Sequence, residues 1–217
     1  MTKLKMLMAS AAVLAISATA ASAVVIDFGM QGTVEPGSAS IDVSGGGYVI
    51  NATGMGVDAG GNTVASLVTR TGSPINGPNQ GGLGVKSPND TNQSIDGGIN
   101  ASGPYKDMLF LTFNKAVKIT KIFFSLVEND RFGPDHATIG VDGVLVGNFD
   151  ISGAGWPAFL AVNLTGTVFK FGALGQNDEY KLRGVEVTPI PVPPALLLLA
   201  TGIAGIGALG RRKAKKI

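Results

Sequence analysis

MLFLTFNKAVKITKIFFSLV, residues 108–127, is the stretch that decides the fold. It holds two strand-like runs, Met108–Phe113 and Val117–Val127. In the second, Val117 and Ile119 share one face, while Ile122, Phe124 and Leu126 take the opposite parity. Period-two alternation marks a strand with one buried face. A switch of parity inside it calls for a β-bulge, one extra residue that turns the following side chains over.

Similar runs recur on both sides: Val24–Phe28, Tyr48–Ala52, Thr63–Thr69, Ala137–Val141, Val144–Phe149, Phe159–Leu164, Thr167–Phe171 and Tyr180–Val187. Gly, Pro, Asn and Asp separate them, and no window combines helical spacing of apolar residues with helix caps. Val141-Asp142-Gly143-Val144 sets Asp-Gly between β-branched residues, the signature of a tight hairpin. Strands spaced by about ten residues predict an all-β body of β-sandwich or jelly-roll type. Its expected core is Leu109, Leu111, Phe113, Ile119, Ile122, Phe124, Leu126, Ile139, Val141, Leu145, Phe149, Leu160, Val162, Phe169, Leu182, Val185 and Val187. Thr71–Pro104 is the largest loop candidate, with short strands conceivable around Gly82–Val85 and Gln93–Asp96.

Composition agrees with a folded, glycine-rich chain: 217 residues, 32 glycines, 45% apolar and 15% charged. Cysteine is absent, which excludes disulfides, thiolate metal sites and a cysteine nucleophile. Seven of the 17 basic residues lie at the two ends, and all 15 acidic ones lie between them. The central region is therefore mildly acidic and unsuited to nucleic acid.

No catalytic constellation stands out, and a non-enzymatic body is expected. The single histidine, His136, sits in a turn before a strand, and there is no Gly-x-Ser-x-Gly elbow. A secreted glycoside hydrolase would need two carboxylates facing a cleft, and Glu128 and Asp130 at a strand end are the nearest pair. No cofactor is expected. Structural calcium is the most plausible ligand: Glu128, Asn129, Asp130 and Asp135 cluster in one turn, and Asn89, Asp90, Asn92 and Asp96 in the long loop. Gly81-Gly82-Leu83-Gly84-Val85 begins like a calcium-binding nonapeptide, but Lys86 stands where the carboxylate belongs. Trp156, with Tyr48, Tyr105 and Tyr180, could stack on sugars, which makes a polysaccharide-binding module the alternative function; core or loop packing is the simpler role for these rings.

The ends carry the functional signal. Lys3 and Lys5, the apolar run Met6–Ile16 and small residues ending in Ala21-Ser22-Ala23 have the layout of a secretory signal peptide, residues 1–23, cut after Ala23. The far end, residues 189–217, has a stiff spacer, Pro189-Ile190-Pro191-Val192-Pro193-Pro194. An apolar segment follows, its membrane helix expected over 195–209, and then the basic cluster Arg211-Arg212-Lys213-Ala214-Lys215-Lys216. Val192 to Gly210 is long enough to span a bilayer as a helix, and the cationic end would stay cytoplasmic. A plain tail anchor is the alternative reading.

This proline spacer, the apolar segment containing Thr201-Gly202-Ile203-Ala204-Gly205 and the terminal basic cluster resemble the PEP-CTERM sorting signal, with Val192 where that family usually has glutamate. The resemblance implies recognition and cutting by an exosortase, a membrane-embedded cysteine protease. Gly82-Leu83-Gly84-Val85, Ser94-Ile95-Asp96, Leu109–Phe113, Asn129-Asp130 and Val141-Asp142-Gly143 are similar to bodies often joined to such tails, which implies a secreted β-sandwich over 24–188. Together these features predict an exported protein that meets signal peptidase and exosortase. It would be anchored transiently in the inner membrane, then placed at the cell surface or in the extracellular matrix.

Overall fold

The computed structural model describes residues 22–29, 34–72, 81–90, 93–98, 105–127, 129–130, 133–151 and 158–190. The expected signal peptide before residue 22, the sorting tail beyond residue 190, and Trp156 and Glu128 lie outside them. Every regular element among the described residues is a strand. In chain order they are β1 (Val24–Asp27), β2 (Val34–Ser38), β3 (Ser40–Gly45), β4 (Tyr48–Asp58), β5 (Thr63–Thr71), β6 (Gly82–Lys86) and β7 (Ile95–Asp96). Then come β8 (Tyr105–Ser125), β9 (Asn129–Asp130), β10 (Gly133–Pro134), β11 (His136–Val141), β12 (Val144–Asp150), β13 (Ala158–Ala173) and β14 (Glu179–Pro189). The body is all-β.

β8 organises it. The two runs expected at 108–113 and 117–127 are one strand of 21 residues. Along one edge β8 pairs with β13 over nearly its whole length. Along the other it pairs first with β4, from Tyr105↔Asp58 to Phe113↔Ile50, and then with β14, from Val117↔Pro189 to Ser125↔Lys181. Because β14 also pairs with β6, β6 with β5 and β5 with β4, the pairing closes a ring, β14-β6-β5-β4-β8. β13, β11 and β12 extend from β8 as a flap, with β12 at its margin.

The predicted bulge is present. The ladders of β8 with β13 and with β14 both lose register between Ile119 and Lys121. Val117 and Ile119 are buried before it and Ile122 and Phe124 after it, so the extra residue keeps both halves of the strand facing the core. Thr120, the residue left over, turns its hydroxyl to the Glu186 carboxylate at 2.7 Å. Asn114, Lys115 and Ala116 do not end the strand; they ride over it exposed between buried Phe113 and Val117. The Asp142-Gly143 turn forms as expected, with φ of 48° and 84°, the left-handed pair that a type I′ hairpin requires.

The core unites Ile26, Phe28, Ile41, Tyr48, Ile50, Val68, Leu83, Val85 and Ile95 with the β8, β13 and β14 residues expected there. Phe113 meets Tyr48 and Phe169 edge to face at 6.2 and 5.6 Å, and Phe124 meets Tyr180 at 5.4 Å. Leu145 departs from expectation. The β11–β12 register slips after Ile139, β12 is an outer strand, and Leu145 faces solvent.

Candidate functional site

The segment expected to be a long loop builds the most unusual chemistry among the described residues. β6, with sequence GLGVK, lies between β5 and β14, with Leu83 and Val85 fully buried. The glycines serve close packing here and form no calcium loop. A Cβ on Gly84 would come within 1.9 Å of the Gln93 carbonyl oxygen, so only glycine lets the returning chain lie on this strand. That return is held by Val85 N–H donating to Ser94 O at 3.2 Å and by Thr69 Oγ1 donating to Gln93 O at 3.3 Å. A turn after β6, in which Asp90 N–H donates to Ser87 O at 3.1 Å, carries Asp90 inward.

β7 then pairs with the start of β14, Asp96 opposite Glu179 and Ile95 opposite Tyr180. Asp107, near the start of β8, has the same parity as Leu109, Leu111 and Phe113, so the strand points its carboxylate into the interior. Asp90, Asp96 and Asp107 are 7%, 4% and 1% exposed. One carboxylate oxygen from each lies within 4.8 Å of the others.

Part of this charge is satisfied locally. Ser87 Oγ donates to Asp107 Oδ1, and the Ser66 and Ser87 hydroxyls are 2.8 Å apart. Gly98 N–H donates to Asp96 Oδ1 at 3.2 Å. The second oxygens, Oδ2 of Asp96 and of Asp107, are buried without a hydrogen-bond partner among the described residues. Buried polar atoms are nearly always paired, and an unpaired carboxylate oxygen is costly. Burial first, and the Asp90 charge second, raise the Asp96 carboxyl to about 7, with Glu179 adding to the rise against the Gly98 amide. Burial raises Asp107 to about 8 against the Ser87 hydrogen bond, with Asp96 and Asp90 adding to the rise. The charged groups acting on both are carboxylates. Glu179 accepts from Ser94 Oγ at 2.6 Å, and Lys181, whose own pKa is lowered by burial, donates to Thr71 Oγ1 at 3.2 Å.

Of the oxygen ligands weighed from sequence in this loop, Asp90 and Asp96 come together, exposed Asn89 flanks them and Asn92 lies outside the described residues. Asp107 was not among them. Its signal was available: an aspartate at the apolar phase of a strand. Of the other expected cluster, Glu128, Asn129, Asp130 and Asp135, only the Asp135 side chain lies among the described residues. Asp135 is buried and accepts from Glu179 N–H at 3.2 Å, while the side chain of Asp130 lies outside the described residues. His136 stands at the start of β11, its Nδ1 3.7 Å from Asp178. Tyr48 and Tyr180 are core residues, Tyr48 under Lys115 Nζ at 4.5 Å and Tyr180 donating to Gly172 O at 3.0 Å, so neither offers a face to a sugar.

No protein-family model matches this chain, and no curated protein matches it.

Proposed function

We propose that this chain is an exported, non-enzymatic surface or extracellular-matrix protein with a β-sandwich or jelly-roll body. Residues 1–23 direct secretion, and residues 189–217 act as a sorting signal that an exosortase cuts. One observation supports the reading: the first and last strands of the described body, which border the two expected terminal segments, are neighbours. β1 begins at Val24, immediately after the expected cut behind Ala23, and β14 ends at Pro189, where the proline spacer starts. These two strands are antiparallel neighbours, Val24 opposite Val187. Both terminal segments can thus be removed at one side of the body without taking a core strand. The three clustered aspartates are too buried to serve as a glycoside hydrolase's pair, since a sugar needs carboxylates it can reach.

Intact mass of the protein recovered from cells and from medium tests the proposal. The expected product lacks residues 1–23 and the segment after about residue 194. A chain that keeps Met1 and stays in the cytosol, or a secreted form that keeps Arg211–Lys216, would overturn it.

A further inference from the structure

We infer that Asp90, Asp96 and Asp107 form a binding site for one calcium ion, which fastens the turn carrying Asp90 and strand β7 to the start of β8. Two independent observations point to a cation. Carboxylate oxygens from three separate elements come within 4.8 Å of one another, a spacing at which all three reach one ion at calcium's ~2.4 Å. Separately, Asp96 Oδ2 and Asp107 Oδ2 are buried with no hydrogen-bond partner among the described residues, although the opposite oxygen of each is engaged by Gly98 N–H and Ser87 Oγ. The protein's own donors fix these side chains and leave one oxygen of each over.

The ligand set selects the ion. It is all carboxylate, with no imidazole or thiolate, which suits a hard cation and not zinc or copper. Magnesium holds several waters and sheds them reluctantly. With the three aspartates no more than 7% exposed, there is little room for that shell. Calcium accepts irregular oxygen cages and completes them with carbonyls or one or two waters. The neighbouring Glu179 makes the region more negative still, so a divalent cation lowers the energy of the whole group.

The test uses the full chain, purified in detergent, stripped with EGTA and passed into chelator-treated buffer. Bound metal is measured by equilibrium dialysis against calcium chloride, and unfolding is followed with calcium, with magnesium or with neither. The expected result is one calcium per chain. Melting should rise by about 5–10 °C at a 100-fold excess over Kd, with little response to magnesium. In Asp96→Asn/Asp107→Asn the rise should disappear, while the chelated variant melts no lower than chelated wild type, because the buried repulsion has gone. Failure of the wild type to bind calcium at millimolar concentration overturns the inference whatever the variant does. A response to magnesium equal to that to calcium, or a variant that keeps the calcium response, also overturns it.

Discussion

Buried side chains along β8 fall into two chemically opposite groups. From the middle of the strand onward Phe113, Ile119, Ile122 and Phe124 pack against other apolar side chains, and every buried ångström favours the folded state. At the other end Asp107 is 1% exposed and meets Asp96 and Asp90. There, burial works against folding unless a proton or a cation compensates. The contrast teaches that depth in a structure does not measure stability; what matters is whether each buried atom has gained a partner for the water it lost.

The apolar group should show the largest effect. Phe113→Ala removes a ring that touches Tyr48 and Phe169, and should cost about 3–5 kcal/mol in urea unfolding, with no change in metal response. Gly84→Ala places a methyl against the Gln93 carbonyl and should cost about 1–3 kcal/mol. Because it displaces the chain that carries Asp90 and Asp96, it should also weaken calcium-dependent stabilisation, which Phe113→Ala does not.

A smaller effect should separate the two groups by pH. In chelator, the Asp96 and Asp107 carboxyls titrate at about 7 and about 8 when folded, against roughly 4 when unfolded. Between those values the folded chain holds protons that the unfolded chain has released. Their contribution is thus complete below about pH 4 and is lost as pH rises through 7 to 8. The urea midpoint of chelated protein should therefore fall from pH 5 to pH 8, and Asp96→Asn/Asp107→Asn should flatten that fall. A midpoint that rises over this range in chelator would contradict the assignment of raised values. The smallest change is expected from Lys121→Ala in the second half of β8. It breaks a 2.8 Å pair with Glu186 in which Lys121 is 40% exposed, and should cost less than about 1 kcal/mol, a loss that salt reduces further.

The second half of β8 was legible in the sequence because period-two patterning and burial agree there. The shift of parity between Ile119 and Ile122 located the bulge, and Asp142-Gly143 located a hairpin. Strand ends were less legible. Asn114, Lys115 and Ala116 look like a break, yet the same partner, β13, lies along both sides of it and carries β8 through. Leu145 has the composition of a core residue, but exposure on an outer strand depends on register, which sequence does not state. β6 and β7 were hardest to see. Their burial arises from contacts with β5 and β14, distant in the chain, and from glycines that look like loop residues. For the acidic site, Asp90 and Asp96 could be suspected as neighbours in one loop. Asp107 joins them only through long-range pairing of β8 with β4, β4 with β5 and β5 with β6, which sets it opposite Gly56 and against Ser87, and its in-phase position on an apolar strand was the one local sign.

β14 bonds to β1, β6, β7 and β8, and the expected sorting tail follows it in the sequence. Tension applied beyond Pro189 would run along that strand, across hydrogen bonds that lie perpendicular to the pull. The ladders with β1 and β8 would then be loaded in shear, many rungs together instead of one after another. A body tethered from this side would resist extraction as a lap joint does, and not as a zip.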